Sequence, residues 1–335
     1  MLTFLIIIVI LALLFDFING FHDTANAIAT SISTRALSPR FAVTYAAVLN
    51  FAGAIISSEV AKTIGGKIAD PSKIENGVQI VIAALISSII WNLLTWYYGI
   101  PSSSSHTLIG SLAGGVIAGA GASSLNWDGF IQIIVILIFS PIVAFGTGFL
   151  IMFLIKYIVI WSGNTSRSKL NRIFRSFQIV SAGLLSLSHG GNDAQKAMGI
   201  IVFGLVSAGI QTDLNVPLWV KISAALAMGL GTSIGGWRII KTVSRKIIKI
   251  EPINGFASDL TSSIVIQTST HMGMPLSTTH VISSAIIGTG SVLRFHEVKW
   301  GTVTRMIMTW IITIPISIIL AYAIYFVLFK LLFPA

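Results

Sequence analysis

Long stretches of the chain contain no Asp, Glu, Lys or Arg: 41–58, 76–127, 129–155, 197–212, 222–237, 260–293 and 306–329. A spanning helix needs about 20 apolar residues, and two of these stretches are too long for one crossing. The first is interrupted at Gly99-Ile100-Pro101-Ser102, the second at Gly273-Met274-Pro275. Each is expected to hold two helices joined at a Gly/Pro break. The pattern predicts ten crossings: 3–34 (broken), 41–60, 76–98, 102–120, 130–158, 177–209 (broken), 215–235, 255–273, 277–293 and 303–330. Re-entrant hairpins would change that count. The opening Met1-Leu2-Thr3-Phe4-Leu5 run has no basic leader and no small-residue cleavage site, so it reads as a retained first helix.

Composition agrees. Hydrophobic residues make up 54% of the 335 and charged residues only 10%, against about 25% in a soluble domain. The chain is therefore expected to be an all-α polytopic membrane protein. Cysteine is absent, which excludes disulfides and thiol chemistry. The net charge of +10 is explained by topology rather than by a nucleic-acid partner. With the N-terminus outside, the inner loops 35–40, 99–101, 162–176, 238–249 and 294–305 carry fourteen Lys and Arg; the outer segments carry five. Cytoplasmic loops attract such an excess. Both termini are thus expected outside and the 162–176 loop in the cytoplasm.

Two motif pairs recur. Asn19 to Ile28 resembles His189 to Met198, aligning Asp23 with Asp193. Gly99 to His106 resembles Gly273 to His280, aligning Pro101 with Pro275. From Asp to Pro the spacing is 78 residues in one half and 82 in the other. Residues 1–160 and 177–335 are accordingly expected to be two membrane repeats, joined by a basic linker at 161–176. Five crossings per repeat would insert the second upside down, an arrangement that suits a transporter with a midplane site.

Asp23 and Asp193 are carboxylates in apolar spans, where an ionisable group is costly and functional by default. Gly20 and Gly190-Gly191 are expected to let the helices unwind there. An unwound turn beside a carboxylate suits a small hard cation such as sodium, with Asn26, Asn192 and Gln195 as further oxygen or amide groups. Asn19 and His22 add to the same surroundings. The competing reading is a structural Asp paired with a neighbouring helix.

Ser103, Ser104 and Ser105, and likewise Ser277, Thr278 and Thr279, follow a proline and open a helix. Free N–H groups at a helix start, with capping hydroxyls and the positive dipole end, bind oxyanions. Two such ends, with Thr107 and Asn26 nearby, could face one another across phosphate or sulfate; ordinary capping is the alternative. Lys196 is a basic residue deep in an apolar span, and it either contacts the anion or pairs with Asp193. Glu59 and Asp259 sit at span ends without acidic counterparts, as gating candidates or interfacial charges. His106 and His280 beside the Ser/Thr runs invite a Ser-His hydrolase reading, but adjacent helical residues diverge and no Asp orients the ring. Gly110 to Gly121 and Gly229 to Gly236 are read as close-packing stripes.

Gly20-Phe21-His22-Asp23-Thr24-Ala25-Asn26-Ala27, Gly191-Asn192-Asp193-Ala194-Gln195-Lys196-Ala197-Met198-Gly199 and Pro275-Leu276-Ser277-Thr278-Thr279-His280 resemble the duplicated signatures of the inorganic phosphate transporter (PiT) family. The resemblance spans nearly the whole chain. It implies a non-enzymatic symporter importing inorganic phosphate, driven by sodium or by protons, in the plasma (inner) membrane and commonly dimeric. It also makes Asp23 and Asp193 cation-site residues and favours functional roles for Glu59 and Asp259. The short linker suggests a prokaryotic member. His22 stands where the family often has Asn. Sodium-coupled phosphate import by alternating access is the leading expectation. Proton-coupled or metal-phosphate symport, and transport of sulfate or another oxyanion, are the alternatives.

Overall fold

The structure is a computed structural model and describes residues 2–74, 76–161, 166–237, 240 and 247–332. The helices are α1 (Leu2–Ser33), α2 (Pro39–Ile56), α3 (Glu59–Lys67), α4 (Gly77–Tyr98), α5 (Ser104–Ala120) and α6 (Trp127–Trp161). They continue with α7 (Arg167–Ser207), α8 (Leu218–Ile234), α9 (Pro252–His271), α10 (Thr278–Arg294) and α11 (Trp300–Phe326). Each of the ten expected segments contains one of these helices, and no strand occurs among the described residues. Five of the helices are long and apolar enough to cross a bilayer. On α6 and α11, Ile138, Phe139, Ile142, Ile311 and Ile319 are exposed, as lipid-facing side chains would be.

The loops sort into two ends. At one, Asn126 N–H donates to Ile68 O, Lys67 reaches Gln132 and Leu214 lies against Gly66. Tyr325 lies against Gly119, whose carbonyl accepts from Asn76. Ile8 packs on Gly204, which puts the first turns of α1 at this end too. At the other end Lys299 N–H donates to Ile247 O, and Glu251 pairs with both Arg167 and Arg294. We call these the terminal end and the basic end.

Depth along the helices corrects the crossing count. α4 starts at the terminal end, yet Thr95 in its last turn lies 3.2 Å from His22. At about 1.5 Å per residue, His22 is about 16 Å along α1 from Ser33. The chain turns at Gly99, whose φ of 64° suits glycine, and α5 returns to the terminal end. α4 and α5 therefore form a re-entrant hairpin with its tip in the interior. α9 and α10 form a second hairpin from the basic end. Thr270 in the last turn of α9 accepts from Asn192, and Gly273 (φ 63°) turns the chain. The 99–101 loop expected on the inner face is a buried hairpin tip. Hydropathy reports how long an apolar stretch is, not how deep it goes, so a hairpin reads as two crossings.

The breaks also lie elsewhere than expected. α1 and α7 run unbroken through Asp23 and Asp193. The interruption falls instead at Ser57-Ser58, between α2 and α3, with a counterpart at Gly235 after α8. The motif glycines serve packing. A Cβ on Gly190 would run into the Asn50 backbone, and one on Gly53 into Leu187 O, so α2 and α7 touch backbone to backbone. Gly114 against Ile318 and Gly231 against Phe17 do the same for α5–α11 and α1–α8, as the small-residue stripes predict. Packing thus pairs elements across the chain: α1 with α8, α2 with α7, α5 with α11, and α6 with α10. Ser166 caps α7 by accepting from Lys169 N–H, so 167–176 is already helix. Residues 162–165 and the basic residues Arg238, Lys241, Arg245 and Lys246 lie outside the described residues.

Candidate functional site

The two hairpin tips meet in the middle of the molecule. Ser103 and Ser277 each cap their helix by accepting from the N–H three residues on, His106 and His280. Ser105 Oγ crosses between the hairpins to donate to Leu276 O at 2.7 Å. The His106 and His280 rings lie 4.4 Å apart, and His280 stacks on Trp310 at 3.8 Å. Two helix N-termini therefore point at one another, and the half positive charge of each converges on a shared interior point.

Beside that point a continuous chain of polar side chains links the two Asp motifs. Asn26 Nδ2 donates to Thr279 Oγ1 at 3.0 Å, and Thr279 donates to Asp23 Oδ1 at 2.9 Å. Ser104 Oγ donates to Asp23 Oδ2 at 2.6 Å and accepts from Lys196 Nζ at 3.2 Å. Lys196 pairs with Asp193 Oδ1 at 2.8 Å. Thr278 and Asn19 donate to Asp193 Oδ2 at 3.1 and 3.3 Å. His22 Nδ1 lies 2.7 Å from Asp23 Oδ1, and His189 Nε2 lies 3.5 Å from Asp193 Oδ2. All of these side chains are buried. Lys196 does pair with Asp193, and in the same geometry it touches the hydroxyl that opens α5.

Other expected site residues stand around this chain. Asn192 donates to Thr270 at 2.9 Å. Gln195 Nε2 bonds Gly191 O at 2.6 Å, while its Oε1 receives Ala61 N–H at 3.1 Å; its amide thus holds α3 against α7. Thr107 bonds back to Ser103 O at 2.9 Å, within its own helix. Several acceptor oxygens here have no partner among the described residues: Oδ1 of Asn19, Asn26 and Asn192, and both oxygens of Asp16. A group that binds cations needs unspent hard oxygens of this kind.

The gating candidates differ from each other. Glu59 is exposed and paired with Lys62 at 2.9 Å. It lines a cavity of about 460 Å³ with Thr63, His271 and Gly273 beside the tip of the second hairpin. Asp259 is fully buried; Thr30 donates to it at 2.7 Å and Gln178 at 3.4 Å.

Asp16, a buried carboxylate one turn before Asn19, is absent from the sequence-derived site. It carried the same signal as Asp23, an acid in an apolar run. The repeat did not highlight it, because the aligned position in the second half is Ser186. Asn50 was also missed. It joins Thr24, Thr232 and His189 by bonds of 3.0 to 3.2 Å, and only tertiary structure brings those four together.

Comparison with known proteins agrees with the geometry. The model of the phosphate transporter family matches residues 19–321. A protein of Bacillus subtilis (strain 168) named "Probable low-affinity inorganic phosphate transporter" is 56% identical over 324 residues, 96% of each chain. One of the same name from Rhizobium meliloti (strain 1021) is 43% identical over 95% of each chain. Among solved structures, "The sodium-dependent phosphate transporter" superposes with a TM-score of 0.88 at 24% identity, over 98% of this chain and all of that one.

Proposed function

The chain belongs to the phosphate transporter family, and from that premise we propose that it imports inorganic phosphate together with sodium by alternating access. It is a transporter rather than an enzyme, as are its relatives. This sets aside the Ser-His hydrolase reading, and Ser105 Oγ is in any case bonded to Leu276 O.

The observation that carries the proposal is the opposition of two helix N-termini, with Ser104, Thr278 and Thr279 hydroxyls between them and Asp23, Asp193 and Lys196 within one hydrogen bond. Phosphate would sit between the helix starts, taking donors from the hydroxyls, free amides, Asn26 and Lys196. Those hydroxyls now donate to the two carboxylates. On phosphate entry they would turn to the anion, and each carboxylate would then need another positive partner. Sodium at Asp23 and Asp193, with the unspent oxygens of Asn26 and Asn192, supplies it. That exchange couples the two ions: without cations, the anion would place like charges together in a buried site, at a cost of several kcal/mol per ion.

The halves are proposed to be inverted repeats, residues 1–160 and 177–335. One hairpin enters from each end, and the packed pairs exchange under the repeat, α1–α8 with α2–α7 and α5–α11 with α6–α10, which supports that symmetry. Exchange between the two hairpins would open the site alternately. Glu59 beside the second tip and Asp259 at the C-terminal turns of α1 would hold the two paths shut. The basic excess sets the basic end, with 167–176, in the cytoplasm and both termini outside the plasma membrane. Homodimer assembly rests on the family resemblance alone.

Purified protein in proteoliposomes tests the proposal. Labelled phosphate should accumulate above equilibrium when an inward sodium gradient is imposed, and sulfate should compete poorly. Uptake that ignores sodium and follows the pH gradient would refute sodium coupling; downhill flux alone would refute symport.

A further inference from the structure

We propose that Asp16 is the seat of an additional monovalent cation, one helical turn from Asn19 on α1; this rests on the symport reading above and adds a site to it. Asp16 is fully buried on α1, and neither of its oxygens has a partner among the described residues. Its depth follows from the register of α1 on α7. Ile8 packs against Gly204 and Asn19 bonds Asp193, so in this antiparallel pair Asp16 comes level with Lys196.

On α7 that register sets Asp193 and Lys196 beside Asp16. On α1 itself, His22 and Asp23 lie about two turns further along. α4 carries no charged residue, and α8 carries only Lys221, in its first turn. Lys196 is already spent on Asp193 at 2.8 Å and on Ser104. Asp16, Asp23 and Asp193 set three carboxyl groups against one ammonium, with His22 beside Asp23 and His189 beside Asp193 and no such partner at Asp16 among the described residues.

Two ways of leaving Asp16 without a cation are disfavoured. An unpaired buried carboxylate is expensive. Protonation would remove the charge but leave the carbonyl oxygen still without a donor among the described residues. A cation accounts for both orphaned oxygens at once. It also accounts for a third: Asn19, three residues on and so on the same helix face, donates its amide N–H to Asp193 while its Oδ1 is unpartnered. Two hard-oxygen side chains one turn apart suit sodium rather than a transition metal. Through Asn19 the site is tied to Asp193, so occupation by a cation would be felt at the carboxylate that Thr278 of the second hairpin also holds.

The test is equilibrium binding of labelled sodium to detergent-purified protein without phosphate. Wild type should bind one more sodium per chain than Asp16→Asn, and Asp16→Glu should retain the site. Folding is checked by the thermal midpoint and elution profile. If Asp16→Asn is not recovered folded, Asn19→Ala serves instead, and its sodium half-saturation should rise about tenfold. An unchanged sodium count in folded Asp16→Asn, or an unchanged half-saturation in Asn19→Ala, would mean that water alone satisfies these oxygens and would overturn the inference. Sodium-stimulated phosphate uptake by wild type is measured in parallel. Its absence overturns the symport reading, whereas its presence beside an unchanged sodium count overturns only the Asp16 site.

Discussion

Replacing Lys196 by Gln separates two jobs that the structure gives to one ammonium. Lys196 Nζ is 2.8 Å from Asp193 Oδ1 and 3.2 Å from the Ser104 hydroxyl at the opening of α5. If it serves only to neutralise Asp193, its loss strands a buried carboxylate and destabilises the fold by about 3–5 kcal/mol. The double variant Asp193→Asn/Lys196→Gln should then restore both stability and phosphate affinity. If it also contacts the anion, a unit charge about 4 Å away contributes about 4 kcal/mol at an effective dielectric of about 20. That is about a thousandfold in affinity before the cost of desolvating both partners is subtracted, so a net loss of about 30- to 300-fold is the expected reading. In that case the double variant regains its thermal midpoint but not its phosphate affinity. Phosphate binding by calorimetry at saturating sodium, beside thermal unfolding of the four proteins of the cycle, gives both numbers. Wild-type phosphate affinity in the double variant would refute the anion contact. Unchanged stability in Lys196→Gln would refute the ion pair as the reason this lysine is tolerated in an apolar span.

Asp23→Asn should lose gradient-driven phosphate accumulation, because it removes the negative charge that Ser104, Thr279 and His22 surround; accumulation at the wild-type level in proteoliposomes would remove the coupling argument. Gly190→Ala should cost at least about 2 kcal/mol, since its Cβ meets the Asn50 backbone rather than a flexible side chain; a melting curve in detergent that matches wild type would show that α2 and α7 can separate freely. Glu251→Gln removes surface pairs with Arg167 and Arg294 and should change stability by at most about 1 kcal/mol, leaving uptake unaltered. In the terminal-end loop, the Ser72 hydroxyl and then Lys73 hold the Asp70 carboxyl below its ordinary value. Its stabilising contribution should therefore be present above about pH 4 and be lost as pH falls through the lowered value. The difference in thermal midpoint between wild type and Asp70→Asn should shrink on acidification, and a constant difference would contradict the assignment.

The positions of the helices were legible in the sequence because charge-free tracts and Gly/Pro interruptions mark where helices begin and end. Their depth was not. Gly99-Ile100-Pro101 and Gly273-Met274-Pro275 look alike whether they lie at a surface or at a buried tip, since a turn needs the same residues in both places. Contacts such as Thr95 with His22 are what decide it. Glycines at 20 and 190–191 suggested unwinding, but a glycine has two uses in a membrane helix, flexibility and close approach, and only the neighbouring backbone tells them apart. Site residues were legible where chemistry was expensive and repeated. Asp16 was expensive but not repeated, so attention to symmetry hid a residue that the cost of burial alone would have found.

That asymmetry bears on mechanism. The proposed repeat symmetry would explain how a site can open to either side, since each hairpin carries its own Ser cap, at Ser103 and Ser277. Perfect equivalence would also make the two cation sites equal and leave no reason for one ion to bind before another. The chain departs from symmetry at the positions that carry charge. Lys196 faces Asn26 in the alignment, Asp16 faces Ser186, and Glu59 and Asp259 have no acidic partners. The first half therefore holds two intramembrane carboxylates, Asp16 and Asp23, with no lysine at the position aligned with Lys196. In the second, Asp193 is already neutralised by Lys196 at 2.8 Å. Cations should bind first along α1, where negative charge is uncompensated. Phosphate would then meet a site whose α7 side is already near neutral. On the proposed reading, repetition would supply the two-sided scaffold and the unrepeated charges would give the ions an order.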